Sequence, residues 1–354
     1  MYILDRYLMK QVAWGIFVST LVLLPLFCFL DLVDQLDDVG TGHYKTSDAF
    51  LYVLLSIPRR FIQLSPFIAL IGNVTALGRL SINHELMSLR SAGYSPAQIG
   101  MASMKVGLGL LVILGVLEMF VAPPLQQNAI AHRAAAMEQS AELGSGLGIW
   151  TRNGQQILRI GNLLHDTRQA TVEILSLDSN DKLSEYISAE GFDIVSNEKW
   201  LLHKVTRKIF SEESVSSTVM DSMPWKTFLN PAQISTLTKP QESLSPVELF
   251  RYVQHLQSTG QEVDVYLLSL WKKVGGPLTM LGMLLLSVPF VFGSVRTGFA
   301  NRLVLASVTG IMVYLLDQIF SNVGLILKLD PSFIALTPGL MLIWIARVWL
   351  RRVL

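Results

Sequence analysis

The stretch Trp150-Thr151-Arg152-Asn153-Gly154-Gln155-Gln156-Ile157-Leu158 sets two short strand-like runs around Asn-Gly. That dipeptide is the strongest short-range hairpin signal, because a tight hairpin turn demands positive φ, which Gly and Asn tolerate. The hairpin lies near the start of a polar, strand-like region, about residues 144 to 231, in a chain that is otherwise apolar. Three long apolar stretches precede this region and three follow it. That order describes a membrane-embedded α-helical bundle of six transmembrane helices with an all-β, jellyroll-like domain inserted on a single face.

Composition agrees. The 354 residues are 51% hydrophobic and only 16% charged, against about 25% charged in a soluble globular domain. Candidate spans run at about 12–36, 49–78, 98–122, 270–295, 302–325 and 332–350, near or above the ~20 residues of helix that cross a bilayer. The second is long enough to tilt or protrude. The first has an uncharged core, Val12 to Leu30, longer than the ~7–15 residues of a signal peptide, and no small-x-small cleavage site follows. It is read as a retained helix. The single cysteine, Cys28, lies within it and cannot form an internal disulfide. A net charge of +1 and the lack of a basic tail argue against nucleic acid as a partner.

Orientation follows from Lys and Arg in the short flanks. Arg6, Lys10, Arg79, Arg90, Arg296, Arg302, Arg347, Arg351 and Arg352 fall on one side, whereas the loops near 37–48 and 326–331 hold only Lys45 and Lys328. Both termini are therefore expected in the cytoplasm, with residues 1–124 and 265–354 forming two sets of three helices. Residues 125–264 then lie outside. Further strands are expected at 171–178, 183–195, 200–210 and 214–225, with turns at Ser179-Asn180-Asp181 and Ser196-Asn197-Glu198. Short strands without intervening helices favour a sandwich or jelly roll. His165 and His203 stand apart, so neither a metal centre nor a cofactor is expected. After the polar linker Lys239-Pro240-Gln241-Glu242, Ser245, Pro246 and Glu248 mark a capping box, opening a helix read as a connector.

Nowhere does Gly-Lys precede Ser or Thr, and H-E-x-x-H and G-x-S-x-G are missing as well. Any work done on this chain draws its energy from elsewhere. The segment from about 80 to 95, between spans two and three, is the candidate receiver. Ser81 or Asn83 is placed to cap a short helix, which Gly93 and Pro96 end. Leu86 and Leu89 share a face near Glu85, and such a helix fits a groove on a motor subunit. Glu85, Leu86, Leu89 and Arg90 are the candidate coupling residues; a solvated surface loop reads the same way by spacing alone. Five basic residues break the positive-inside pattern: Arg59, Arg60, Arg133, Lys272 and Lys273 all fall near the outer leaflet. Singly they snorkel. Together they suggest a ring for anionic headgroups, since Arg binds phosphate bidentately and Lys as a point charge. Glu118 and Asp317 lie towards the same end, either as partners of that ring or as interface residues.

Taken together these residues resemble the LptF/LptG family of lipopolysaccharide export permeases. The matching stretches are Leu4-Asp5-Arg6-Tyr7, Val33-Asp34-Gln35-Leu36, Leu55-Ser56-Ile57-Pro58, Glu85-Leu86 through Ser91-Ala92-Gly93, Val121-Ala122-Pro123, Gly148-Ile149-Trp150, Trp225-Lys226-Thr227, Ser258-Thr259-Gly260-Gln261 and Leu316-Asp317-Gln318-Ile319-Phe320. Each is weak singly; their order along the chain is specific. The resemblance implies a periplasmic β-jellyroll and an LptF-like permease paralogue around a central cavity. It also implies two LptB-like ATPase subunits touching the segment that holds Glu85, an LptC-like bitopic protein near span one, and a periplasmic bridge protein carrying lipopolysaccharide outward. Arg59, Arg133 and Lys273 match basic positions of the family's cavity. Asp31 departs, since a basic residue can occur there in a relative. Arg60 and Lys272 rest on the charge argument alone.

The reading is a non-catalytic permease subunit of the bacterial inner membrane that extracts lipopolysaccharide from the outer leaflet. A lipoprotein- or other lipid-extracting permease and a membrane assembly scaffold are the alternatives. An ion-coupled transporter would show inverted repeats and midplane carboxylates, and neither is visible.

Overall fold

A computed structural model describes residues 2–141, 149–161, 170–178, 182–196, 199–210, 214–227, 243–258, 263–292 and 298–353. His165, the turn Ser179-Asn180-Asp181, Asn197-Glu198 and the linker 239–242 lie outside them. The chain forms two compact units: Met1–Asp34, Val53–Leu125 and Asp264–Leu354 make the first, and Gln35–Tyr52 with Gln126–Val263 the second.

Six helices are long and apolar enough to cross a membrane, as the sequence indicated. They are α1 (Tyr2–Leu36), α2 (Thr46–Ile82), α4 (Pro96–Val116) with its continuation, α7 (Asp264–Phe292), α8 (Phe299–Ile326) and α9 (Pro331–Val353). Between α2 and α4 sits the seven-residue α3 (Glu85–Ser91). Helix α4 runs through one π turn, Leu117–Val121, into α5 (Ala122–Ala141). The cause is in the sequence. Pro123 and Pro124 lack N–H groups, and their rings crowd the carbonyls four residues back, at Met119 and Phe120.

In the first unit α1, α2, α4 and α7 share one core, which includes Leu8, Val12, Ile68, Leu77, Ile99 and Leu284. Close approach depends on glycine. A Cβ at Gly15 would fall 2.4 Å from the Gly72 carbonyl oxygen, and one at Gly275 would fall 2.2 Å from that of Ala335. Small residues at helix crossings let backbones meet, which gives a membrane bundle its packing energy where no water drives association. Helices α1 and α8 keep long apolar faces exposed, including Trp14, Phe17 and Leu21, and Val308, Ile311 and Leu315.

The second unit holds one curled antiparallel sheet, a half-barrel, of seven strands among the described residues: β1 (Ile149–Asn153), β2 (Gln156–Gly161), β3 (Thr171–Leu177), β4 (Leu183–Ala189), β5 (Gly191–Ser196), β6 (Lys199–Phe210) and β7 (Val215–Lys226). The Asn-Gly hairpin forms as expected, with Asn153 paired to Gln156 and Gly154 at φ +58. Alternate residues point inward. Leu158 opposes Ile174, which opposes Ile187; Ile160, Val172 and Ala189 make the next row. The row of aromatics ends it, Phe192 stacked on Trp200 at 4.4 Å and Trp200 edge-on to Trp225 at 5.6 Å.

The expected strand 183–195 is two, β4 and β5, pairing in one continuous register with β6 and interrupted at Glu190. Opposite that break Lys204 takes φ +50, and its pairing with β7 also lapses between His203–Ser222 and Val205–Met220. A left-handed residue at one level of three adjoining strands kinks all three, and the sheet curls there. Lys204 Nζ donates to Glu190 Oε2 at 2.6 Å, and this hydrogen bond holds the ammonium pKa above the usual lysine value. Beyond the sheet, α6 (Pro246–Ser258) starts with the expected capping box: Ser245 N–H donates to Glu248 Oε2 at 2.9 Å and Glu248 N–H to Ser245 Oγ at 3.2 Å.

The kink gives a local prediction. Lys204→Val forces a β-branched residue into the left-handed region, at a cost of about 1–2 kcal/mol, and Lys204→Gly does not. Hydrogen exchange of the amides flanking Glu190 and Lys204 should accelerate in the valine variant only.

Candidate functional site

Basic and acidic side chains gather near one end of the first unit. Arg59, on α2, reaches Glu118 on the π turn with Nη1 at 3.0 Å from Oε1 and 3.3 Å from Oε2. Lys273, on α7, makes a close ion pair with the same Oε1. Three helices thus converge on one carboxylate, and the side chains are only 19%, 13% and 9% exposed for Arg59, Glu118 and Lys273. Burial of charge at this level is tolerable only with the opposite charge in contact. One donor is left over: Arg59 Nε is buried with no hydrogen-bond partner among the described residues.

Two looser pairs flank the bridge. Arg60 Nε donates to Asp31 Oδ2 at 2.5 Å, and its Nη2 pairs with Asp31 Oδ1. Lys272 Nζ lies 3.6 Å from Asp317 Oδ2 on α8. The pairing explains Asp31: an acid on α1 is matched by the arginine at position 60. Arg133 belongs to the second unit, where Nη2 donates to Asp38 Oδ2 at 2.5 Å and the guanidinium lies over the Tyr52 ring at 5.8 Å. Each of the five basic residues singled out in the sequence therefore has an acidic partner. Glu118 and Asp317, left open by sequence, are two of those partners.

At the other end of α2 the short helix forms where expected, but neither expected cap is used. His84 is its N-cap, at φ +58 and with no side-chain capping bond. Ser81 Oγ accepts from Arg302 Nη1 at 3.2 Å, and Asn83 Nδ2 donates to Glu85 Oε1 at 3.3 Å, so both side chains are engaged elsewhere. The C-terminus follows expectation. Gly93 sits at φ +89, Gly93 N–H donates to the Arg90 carbonyl and Tyr94 N–H to that of Leu89, the paired bonds of a Schellman motif.

Leu86 and Leu89, which share a face of the candidate coupling helix, are turned inward in the structure. Both are buried in the first unit's core with Tyr94 and Ile99. The reason is the apolar contact that accompanies a Schellman end and anchors so short a helix. The exposed side chains are Met87, Ser88, Arg90 and Ser91. Arg90 lies 6.0 Å from the Phe292 ring at the end of α7. Glu85 is held by Tyr7 of α1, whose hydroxyl donates to Oε2 at 2.6 Å, and lines a cleft of about 580 Å³ with Lys10, Gln11, Trp14, Phe17 and Arg79.

Sequence reading missed the element that joins these ends. Asn73, on α2, is fully buried, and its Nδ2 donates to Ser287 Oγ at 2.6 Å and to the Leu284 carbonyl at 3.2 Å on α7. Its Oδ1 accepts from Ser103 Oγ on α4 at 3.0 Å. Lone polar residues in apolar runs were the available signal, and nothing in the sequence pairs them.

The whole chain can be compared with known proteins. The family model described as lipopolysaccharide export system permease LptF/LptG matches residues 6–352. The chain belongs to the LptF/LptG family. It is 30% identical to the lipopolysaccharide export system permease protein LptG of Haemophilus influenzae over 348 residues, covering 98% of this chain and 97% of that protein. Against LptG of Escherichia coli K12 the identity is 29% over 341 residues, covering 95% and 94%. In this member of the family Arg59, Arg60, Lys272 and Lys273 contact acids inside the bundle, and a buried amide ties three of its helices. In the second unit, His203 lies 3.0 Å from Asp193, and among the described residues no three possible metal ligands cluster.

The Asn73 node predicts a stability effect. Asn73→Ala removes the amide that links three helices, while Ser287 Oγ keeps the Leu284 carbonyl at 2.6 Å and Ser103 Oγ that of Ile99 at 3.5 Å, so the whole node costs about 1–3 kcal/mol. The thermal midpoint of the detergent-solubilised permease should fall, and Asn73→Gln should recover little, because the longer amide does not fit the same three contacts.

Proposed function

We propose that this chain is the non-catalytic permease subunit of an ATP-driven exporter that extracts lipopolysaccharide from the outer leaflet of the bacterial inner membrane. The observation that carries the reading is the end-to-end family match, 6–352, over a bundle that holds buried cations near one end. Both termini face the cytoplasm and the half-barrel faces the periplasm, from the Lys/Arg bias of the loops. Its partners are an LptF-like paralogue completing the cavity, two LptB-like ATPase subunits, an LptC-like bitopic protein and a periplasmic bridge that takes the lipid onward.

In this reading Arg59 and Lys273 hold the lipid phosphates, with Arg60 and Lys272 supporting them, while the apolar helix faces receive acyl chains; Arg133, in the second unit, is a further headgroup-binding residue. A phosphate offers more acceptor oxygens than a carboxylate and suits the arginine fork. Glu85 receives the ATPase: it gives up its contact with Tyr7 for a basic group entering the neighbouring cleft, with Arg90 beside it. Leu86 and Leu89 transmit the push, because a helix anchored in the core moves its neighbours with it.

Two measurements test the reading. ATP-dependent release of lipopolysaccharide from liposomes to a soluble acceptor should fall by about tenfold or more with Glu85→Ala, the scale of losing one partner of a charge pair at an interface. ATPase recruitment should weaken with it; recruitment of no ATPase by the wild-type chain would abandon the assignment. Independently, the variant Arg59→Gln, Arg133→Gln, Lys273→Gln combined with Glu118→Gln, which leaves no unpaired charge at the bridge, should still assemble with its ATPase and yet fail to release lipid. Normal export by that variant would remove the headgroup role.

A further inference from the structure

Glu118 is the least expected group in a phosphate site: an acid set between two largely buried cations. We propose that Glu118 is a built-in counter-ion, which neutralises Arg59 and Lys273 in the lipid-free permease and is displaced by a lipid phosphate. The inference rests on the headgroup reading above and adds how that site is loaded and emptied.

Charge comes first. Arg59 and Lys273 bind the same carboxylate, Arg59 through Nη1 to both oxygens and Lys273 to Oε1, so without it two cations would face each other in a medium that screens poorly. A single carboxylate offsets one of two charges. The site keeps a buried donor, Arg59 Nε, with no hydrogen-bond partner among the described residues, which favours an anion richer in charge and acceptor oxygens. A phosphate that enters makes these contacts and repels the carboxylate, so the two anions exclude each other.

Position comes second. Glu118 is carried by the only π turn among the described residues, inside a helix otherwise continuous from Pro96 to Ala141. A π turn has a loosened hydrogen-bond ladder, and such turns recur at functional sites. Displacing a side chain there disturbs less of the helix than it would on a regular turn. The returning carboxylate then competes for the same donors and helps expel the phosphate when the cavity closes. The cost of the counter-ion is affinity, and its gain is release.

The test uses the full permease with its co-purified subunits in nanodiscs. The probes are lipid A carrying its phosphates and enzymatically dephosphorylated lipid A. Glu118→Gln keeps the shape and removes the charge, so phosphorylated lipid A should bind about tenfold tighter, the size of one partly screened charge contact. Dephosphorylated lipid A should bind as before, and ATP-dependent release per turnover should slow. Glu118→Asp, one methylene shorter, reaches one cation at most, and its affinity should fall between wild type and Glu118→Gln. That variant decides the matter if the glutamine variant does not fold. Affinity that is unchanged or weaker in both, or that rises equally for the dephosphorylated lipid, overturns the counter-ion. Arg59→Ala with Lys273→Ala separates the two ideas. If it weakens binding while neither Glu118 variant tightens it, the headgroup site stands without the counter-ion; if it leaves binding unchanged, both fall.

Discussion

The contact between Glu118 and its two cations constrains much else in this bundle. Helices α2, α4 with its π turn, and α7 each bring one charge to a place where water is scarce, and none of the three would be tolerated there alone. Their meeting fixes the relative depth of the three helices. A slip of one turn, about 5.4 Å, would bury an unpaired charge. Apolar packing between these helices is non-directional by comparison and would accept several registers, so the ion bridge selects one of them.

The same requirement reaches the flanks. Arg60 follows Arg59 and so points about 100° away, towards α1, where Asp31 meets it. Lys272 precedes Lys273 and turns towards Asp317 on α8. Adjacent cations on two helices thus address three different acids, Glu118, Asp31 and Asp317, and the bundle is stitched outward from its centre. These outer pairs are about a third exposed at their basic ends, and pairs of that exposure contribute little to stability. Their value lies in orientation.

Much of this was legible in the sequence and some was not. Apolar runs gave six spans, and Asn153-Gly154 gave the first hairpin, because both signals are local. Strand 183–195 was read as one run, correctly in register, but the break at Glu190 depends on Lys204, fourteen positions later. The short helix was placed well at its C-terminus, where Gly93 needs positive φ. It was misread at its N-terminus, where Asn83 and Ser81 have stronger demands on them from Glu85 and Arg302. Leu86 and Leu89 look identical whether a helix face is offered to a partner or folded under it. Only the surrounding core decides. Glu118 and Asp317 were visible as acids at depth, and no rule of spacing could name their partners on other helices.

Two nodes on the same three helices suggest how the ends of the bundle communicate. Asn73 stands fourteen residues from Arg59 on α2, and Ser287 stands fourteen from Lys273 on α7. At 1.5 Å per residue both separations are about 21 Å. On the third helix Ser103 stands fifteen residues from Glu118, and the odd residue falls where the helix widens into its π turn. The polar node and the ionic node are therefore spaced alike on all three helices, which joins them into one stiff body with a lock at each end. Helix α3 hangs from this body, its leucines in the same core and Arg90 against the end of α7. A push on α3 cannot be absorbed by sliding one helix past another without breaking Asn73's satisfied hydrogen bonds. It must rotate or tilt the three together, and with them the carboxylate and the two cations it bridges.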